Sequence, residues 1–280
     1  MWTPGEATVH APEQLQAKAL FNVEGFTAVV TGGAAGIGLA YAEVMAANGA
    51  NVTLIDTDRE ALDGAVAELC KRGIATGLVA DVTDHAALHE AIAGTAARTG
   101  RLDVVFANAG ITAGPGFLTT DGQRDPAGDI ENIPAELWDK VVATNLTSVF
   151  ATIRACVAPM KAQGGGNIIV TTSIAGLRPS AVVGTPYMVA KAGAAHLARQ
   201  AALELARYSI RVNAIAPGPF ATRITSPGLH AIWAKALPLR RIASTDEIKG
   251  LALFLASPAS AYVTGAQLVI DGGSLLGTAD

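Results

Sequence analysis

Tyr187 and Lys191 are four residues apart, the spacing of one helical turn. Thr185-Pro186, just ahead of them, reads as a helix start with Thr as the cap and Pro at the first helical position. The phenol and the ammonium then share one face. A free tyrosine, with a pKa of about 10, is a poor base at neutral pH. A lysine ammonium beside it favours the phenolate and lowers that value. Tyr187 is therefore the residue expected to take or give a proton. Ser173, fourteen residues earlier, and Asn145, forty-two residues earlier, add a hydroxyl and a carboxamide to the set. Near the other end of the chain, Thr31-Gly32-Gly33-Ala34-Ala35-Gly36-Ile37-Gly38 can bring backbone amides against phosphate oxygens.

These groups need a scaffold. The chain has 280 residues, of which 50% are apolar, 16% charged and 5% aromatic. A core filled by Ala, Val, Leu and Ile suits parallel strands covered by helices on both faces. Short apolar runs at 27–31, 51–56, 75–80, 103–107, 167–172, 211–215 and 267–270 alternate with helix-length segments, among them 36–48, 59–71, 136–160 and 186–208. The pattern predicts an α/β fold: a single doubly wound, Rossmann-like domain with a parallel sheet of about seven strands and right-handed crossovers. Residues 1–21 are rich in Pro and Ala without a clear period and read as an N-terminal extension, either loose or docked on a neighbouring subunit. The domain proper is expected over 22–280.

A net charge of −4 gives no reason to expect nucleic acid or an anionic membrane as partner. With no uninterrupted run of eighteen apolar residues, a membrane span is not expected. The start of the chain lacks the basic and apolar regions of a signal peptide. The two cysteines, Cys70 and Cys156, fit a reducing compartment. A soluble cytoplasmic protein is expected.

The first strand runs straight into Gly32-x-x-x-Gly36-x-Gly38, where a helix begins. Its N-terminus offers free amides and a positive dipole end, and Gly38 lets helix and strand pack closely. Asp56 closes the second strand, twenty residues past Gly36, where a carboxylate can accept hydrogen bonds from an adenosine ribose. The same charge would repel a 2′-phosphate. No Lys or Arg lies in 32–38, and Thr57 follows Asp56, so the expected cofactor is NAD rather than NADP. Beside a nicotinamide, whose positive charge when oxidised would join the lysine in favouring the phenolate, Tyr187 would take a proton from an alcohol as hydride leaves its carbon, or return it in reduction.

Over roughly Asn22 to Gly273 the chain resembles the short-chain dehydrogenase/reductases. Besides the Thr-Gly-x-x-x-Gly-Ile-Gly loop with Ile37, it carries Asp81-Val82 after the third strand and Asn108-Ala109-Gly110 after the fourth. Pro217-Gly218 followed by Thr222 comes after the sixth strand, and Asp271-Gly272-Gly273 lies near the end. The resemblance implies that Asp81 and Val82 touch the adenine, and that Asn108, Ala109 and Gly110 line the cofactor cleft. Pro217 and Gly218 would lead to Phe220 and Thr222 at the nicotinamide carboxamide. It gives Lys191 a second task, holding the nicotinamide ribose. Ser173 would hydrogen-bond the substrate oxygen, and Asn145, within the helix Glu136–Met160, would anchor a water passing protons from Lys191 to solvent. Family habit implies a homotetramer, with the helices Glu136–Met160 and Pro186–Tyr208 forming one interface through Ala-rich faces. Three departures stand out. Ala107 and Ala190 occupy positions where the family often has Asn and Ser, and the Ser173–Tyr187 spacing is one residue longer than usual. The extra residue is placed in Ala181–Pro186, with Thr172 and Ser180 as alternatives to Ser173.

The stretch between Gly110 and Asn145 is longer than the family's by roughly a dozen residues. Its segment 114–133 is expected to overhang the cleft or reach a neighbouring subunit, or else to be an unrelated surface insertion. Residues 222–237 are expected to form a mobile lid carrying Ile224, Leu229, Ile232 and Trp233, faced by Val182 and Val183. Arg223 and His230 bring charge to this segment. This apolar lining points to a small-to-medium hydrophobic or aromatic secondary alcohol or ketone. His85 and His89 share a predicted helix face without a carboxylate to complete a metal site, so no metal is expected. His196 is expected to pack within its helix. Two alternatives remain: an NADP-dependent ketone reductase, and a nucleotide-binding regulatory protein without turnover.

Overall fold

The computed structural model describes residues 16–222 and 233–277. Seven parallel strands form one sheet in the order β3-β2-β1-β4-β5-β6-β7. They are β1 Thr27–Thr31, β2 Asn51–Asp56, β3 Ala75–Val79, β4 Val104–Ala107, β5 Gly166–Thr171, β6 Ile210–Pro217 and β7 Gln267–Ile270. The expected strands are all present, with ends shifted by one or two residues. Every residue of β1 and β4 is buried, because helices cover both faces of the centre of a parallel sheet.

The helices are α1 Ala17–Leu20, α2 Gly36–Ala47, α3 Arg59–Leu69, α4 His85–Thr99, α5 Ala135–Val142, α6 Ser148–Ala162, α7 Thr185–Leu205 and α8 Lys249–Ala256. Two core layers result. On one face, Ala28 and Val30 of β1 meet Tyr41, Met45, Leu62 and Leu255 from α2, α3 and α8. On the other, Val29 meets Leu88, Ile92, Cys156 and Leu205 from α4, α6 and α7. This is the period-two alternation of the pleat. Val29 registers with Thr53 on one side and Val105 on the other. From β1 the chain first builds outward to β3, then returns to place β4 on the opposite side. The crevice between the C-terminal ends of β1 and β4 is the switch point at which open α/β sheets bind ligands.

The structure corrects several local expectations. The segment 136–160 is not one regular helix: α5 and α6 are joined by a π-helical turn, Ala143–Thr147, centred on Asn145. Thr185 does not cap α7. Gly184 is the capping residue, Thr185 begins the helix and Pro186 follows at its second position. Proline's fixed φ fits either site in a first turn. His196 is exposed rather than packed, with Nδ1 3.4 Å from Arg199 Nη2. Within the continuous run Ala135–Ala162, an eighteen-residue stretch is apolar enough to cross a bilayer (mean hydropathy 1.5), yet half of that stretch is buried in the domain. Residues 1–15 of the extension and 223–232 of the expected lid lie outside the described residues.

Candidate active site

The parallel sheet delivers every loop that follows a strand to one edge, so the motifs after β1, β2, β3, β4, β5 and β6 converge there. The glycine loop is held by side chains from two neighbouring strands. Asp56 Oδ2 accepts the Ala34 N–H at 3.0 Å, and its Oδ1 accepts those of Thr57 (2.8 Å) and Asp58 (3.2 Å). Asn108 Nδ2 donates to the carbonyls of Thr31 (3.1 Å) and Gly32 (3.2 Å). A Cβ on Gly38 would come within 2.6 Å of Asn108 Nδ2, and nearer still to the Gly32 carbonyl oxygen. Only glycine fits between them. Ile37 is partly buried against the core layer of α2.

α3 and α4 begin under aspartate caps, Asp58 and Asp84, whereas no side chain caps α2. The first amides of α2 thus present donors and a positive dipole end to the crevice, a fit for the pyrophosphate of a dinucleotide. The loops around it complete the cleft. Val82 is buried, while Asp81 Oδ1 accepts from the Thr83 N–H (2.8 Å) and hydroxyl (2.7 Å). Ala109 backs onto Gly32. Pro217 ends β6, Gly218 packs against Asp271, and buried Phe220 bridges to Ala243. Thr222 lies beside Gly36, its Cγ2 3.6 Å from where a Cβ would stand.

At the chemical end, Ser173 follows β5 and caps a short 3₁₀ turn, Ile174–Gly176, its Oγ accepting the Ala175 N–H at 3.1 Å. The Ser173 side chain also hydrogen-bonds Tyr187. The two alternatives to Ser173 are engaged elsewhere. Thr172 Oγ1 donates to the Ile215 carbonyl (2.9 Å) and accepts from Gln267 Nε2 (3.1 Å), and Ser180 Oγ accepts the Val182 N–H at 3.4 Å. Tyr187 packs against a small apolar cluster of Ala113, Val141 and Ala190 with Ile111, Leu137 and Leu146. Lys191 follows one turn on, 3% exposed, its Nζ donating to the Thr171 carbonyl at 2.8 Å. Nζ stands 5.7 Å from the centroid of the Tyr187 ring.

The electrostatics correct the simple argument from spacing. Burial pushes the Tyr187 phenol above its ordinary value, and the Ser173 hydrogen bond offsets this only in part. Burial also pulls the Lys191 ammonium down, to about 8. Within the chain, desolvation outweighs the help the phenol receives. The phenol needs a further positive charge to act as a base.

Asn145 is buried, and its carboxamide holds one backbone unit from both sides: Oδ1 accepts the Ile111 N–H at 2.7 Å and Nδ2 donates to the Ile111 carbonyl at 2.8 Å. Its side chain thereby fixes the strand-end loop 108–111. A Cβ on Gly110 would lie 3.1 Å from Asn145 Oδ1 and 3.4 Å from Lys191 Nζ, so this loop also closes over the lysine.

Two contributors escaped the sequence reading. Thr31 Oγ1 accepts the N–H groups of Asn108 (3.0 Å) and Ala109 (3.2 Å), tying the two central strand ends together. Thr171 supplies the carbonyl that holds Lys191. For Thr31 the signal is a hydroxyl closing an otherwise apolar buried strand, since a buried hydroxyl needs a partner; the Thr171 contact is made by a main-chain carbonyl, which no residue type announces. Among the described residues, no group of three or more His, Cys, Asp or Glu is placed to hold a metal ion.

The family model described as Enoyl-(Acyl carrier protein) reductase matches residues 32–274. Galactitol 2-dehydrogenase (L-tagatose-forming) of Cereibacter sphaeroides is 37% identical, over 91% of this chain and 97% of its own. Trans-4-hydroxycyclohexanecarboxylate dehydrogenase of Sinomonas cyclohexanicum is 38% identical, over 89% and 93%. Among solved structures, the NADPH-dependent 3-quinuclidinone reductase of Rhodotorula rubra superposes with a TM-score of 0.84 at 34% identity, covering 97% of this chain and 98% of that one.

Proposed function

Since the chain belongs to the short-chain dehydrogenase/reductase family of oxidoreductases, we propose that it is an NAD-dependent dehydrogenase of small-to-medium hydrophobic or aromatic secondary alcohols, or of their ketones in reverse. The observation that carries this reading is the convergence of Ser173, Tyr187 and Lys191 beside a glycine loop pinned by Asp56. Bound NAD would take up or supply the hydride and bring positive charge to the site in its oxidised form. Tyr187 Oη holds the transferable proton, and Ser173 aligns the substrate oxygen with it. Lys191 carries the ammonium that stabilises a phenolate and grips a ribose. Asn145 keeps Gly110 and Ile111 in place over that lysine. The Asp56 carboxylate, at the end of β2, favours a ribose with both hydroxyls free.

The carbocyclic substrate named for the Sinomonas relative supports a ring-bearing alcohol, as do the exposed apolar side chains of Leu177 and Val182 between Ser173 and Tyr187. We place the protein in the cytoplasm as a homotetramer, with residues 1–21 as an extension and 222–237 as a substrate lid. One observation favours a second reading, NADP-dependent ketone reduction: the quinuclidinone reductase is NADPH-dependent.

The test is a spectrophotometric screen of cyclic and aromatic secondary alcohols and ketones with NAD and NADP side by side. NAD is expected to be preferred, and a preference for NADP would overturn the Asp56 argument. Tyr187→Phe is expected to lower kcat on the order of 10²–10⁴-fold, the usual worth of a positioned acid–base group, with NAD binding retained. Equal turnover by the variant would remove the proton-transfer role from Tyr187.

A further inference from the structure

The insertion 114–133 is not draped over the surface; it is seamed to the segment that carries Tyr187. Pro115 and Val183 form an antiparallel bridge, and the Leu118 N–H donates to the Ala181 carbonyl at 2.9 Å. Gly116 lies so close to that segment that a Cβ on it would come within 2.6 Å of the Val182 carbonyl carbon, and nearer still to the Ala181 oxygen. Gly128 is stacked behind Gly116, where a Cβ would stand 2.6 Å from Phe117 N. The insertion also closes on itself. Leu118 bridges to Arg124, the Asp125 N–H donates to the Phe117 carbonyl at 3.0 Å, and Arg124 pairs with Asp129 at 2.5 Å. The Arg124 guanidinium lies 5.4 Å over the Phe117 ring.

At the end of the seam, a Cβ on Gly184 would be 2.5 Å from the Ala113 carbonyl oxygen. Gly184 is the cap of α7, and its carbonyl accepts the Tyr187 N–H at 3.1 Å. An unbroken path of main chain in contact with main chain thus runs from Gly128 through Gly116 and Ala181–Gly184 to Tyr187. A methyl added at 116 meets backbone rather than the tip of a flexible side chain, so no rotamer change absorbs it. The segment Ala181–Gly184 has to move, and the start of α7 moves with it.

We propose that the insertion is a brace that positions Tyr187, with Gly116 as a positioning residue for the reaction. This rests on the dehydrogenase reading above and adds to it a part outside the residues that touch substrate or cofactor. The pyrophosphate and adenosine end of the dinucleotide cleft is built on Gly32, Asp56 and Asn108, which the seam does not touch. Its affinity is therefore separable from the brace.

Gly116→Ala and Arg124→Met in the full chain test the idea, with Gly94→Ala on the outside of α4 as control, since its added methyl meets nothing within 4 Å. Titration of NADH gives the cofactor Kd, kinetics give kcat, KM and the pH profile of kcat, and a melting curve gives the thermal midpoint. Because a displacement of about 1 Å at a reacting group can cost about 10²-fold, Gly116→Ala is expected to lose roughly tenfold or more in kcat while the NADH Kd stays within about twofold. The apparent pKa of kcat is expected to rise as the phenol moves relative to Lys191. Arg124→Met loosens the insertion without entering the seam, and smaller changes of the same kind are expected. Gly94→Ala should match wild type in kinetics and NADH Kd, with an equal or higher thermal midpoint because alanine favours a helix interior. The brace is overturned if Gly116→Ala, or Arg124→Met should the first not fold, keeps the wild-type kcat and pH profile and loses only thermal stability. It is also overturned if the NADH Kd weakens in step with kcat. Absence of turnover in the wild type itself, with either dinucleotide and the whole substrate panel, sinks the dehydrogenase reading and the brace with it.

Discussion

Lys191 is a cation kept out of water whose hydrogen-bond partner is a main-chain carbonyl rather than a carboxylate. Such a group costs stability, and the cost has a definite pH signature. Burial lowers its pKa from 10.5 to about 8, so between those values the unfolded chain binds more protons than the folded one and stability rises with pH. A shift of this size corresponds to about 3 kcal/mol, fully present below about pH 8 and relieved above about 10.5. Lys191→Met is therefore expected to be inactive yet more stable than wild type at neutral pH, by somewhat less than that figure because the Thr171 carbonyl loses its donor. Denaturant melts at several pH values from about 7 to 10 check this. The advantage of the variant must shrink as pH rises, and a constant or growing gap would refute the burial argument. Tyr187 is raised above 10 and is common to both proteins, so it does not enter that window. The pair Tyr187 and Lys191 was legible from spacing alone. The balance of effects on the phenol was not, because desolvation depends on how tightly Ala113, Val141 and Ala190 close around it, and no spacing rule conveys packing.

At the scale of elements, alternating strand and helix patterns located the seven strands, because buried parallel strands are unbroken apolar runs with glycine at their ends. The π-turn at Ala143–Thr147 was invisible in the sequence because a single extra residue is too small a change to break the helical pattern of so long a segment. Yet that turn marks where Asn145 meets Ile111. The mis-set cap of α7 has a similar origin, since Thr185 is a good cap by type, but the contact of Gly184 with Ala113 that fixes the true boundary is tertiary. The π-turn's role can be tested. Asn145→Ala leaves both the N–H and the carbonyl of Ile111, partly buried, without their present partners, a loss of about 2 kcal/mol or more. For a domain of this size the melting midpoint is expected to fall by about 5 °C, and saturating NADH should restore little of the lost kcat because Gly110 remains loose over Lys191. An unchanged midpoint would mean that the carboxamide does not hold the loop.

For the whole molecule, sheet order follows from right-handed crossovers and the reversal after β3, and the sequence implied both without giving the distances across the crevice. What a single chain leaves uncovered is equally informative. Along α7, Val189, Ala192, His196 and Leu203 are all exposed and fall at helical spacing on one face. Val189 is 45% and Leu203 78% exposed, and on the neighbouring α6 Phe150 is 45% exposed. Large apolar side chains grouped on one exposed surface mark an interaction site, and alanine at 192 lets a second helix approach closely. These are the two helices expected to form one interface of a homotetramer. Leu203→Glu places a charge on that face near the end of α7, where desolvation without a partner is costly. Light scattering at micromolar concentration is expected to show the wild type as four chains and the variant as smaller species. Ile74→Glu, at a similarly exposed position beside β3, should leave the mass unchanged. A wild type that runs as a single chain, or a Leu203→Glu protein that keeps the wild-type mass, would show that this face does not join subunits.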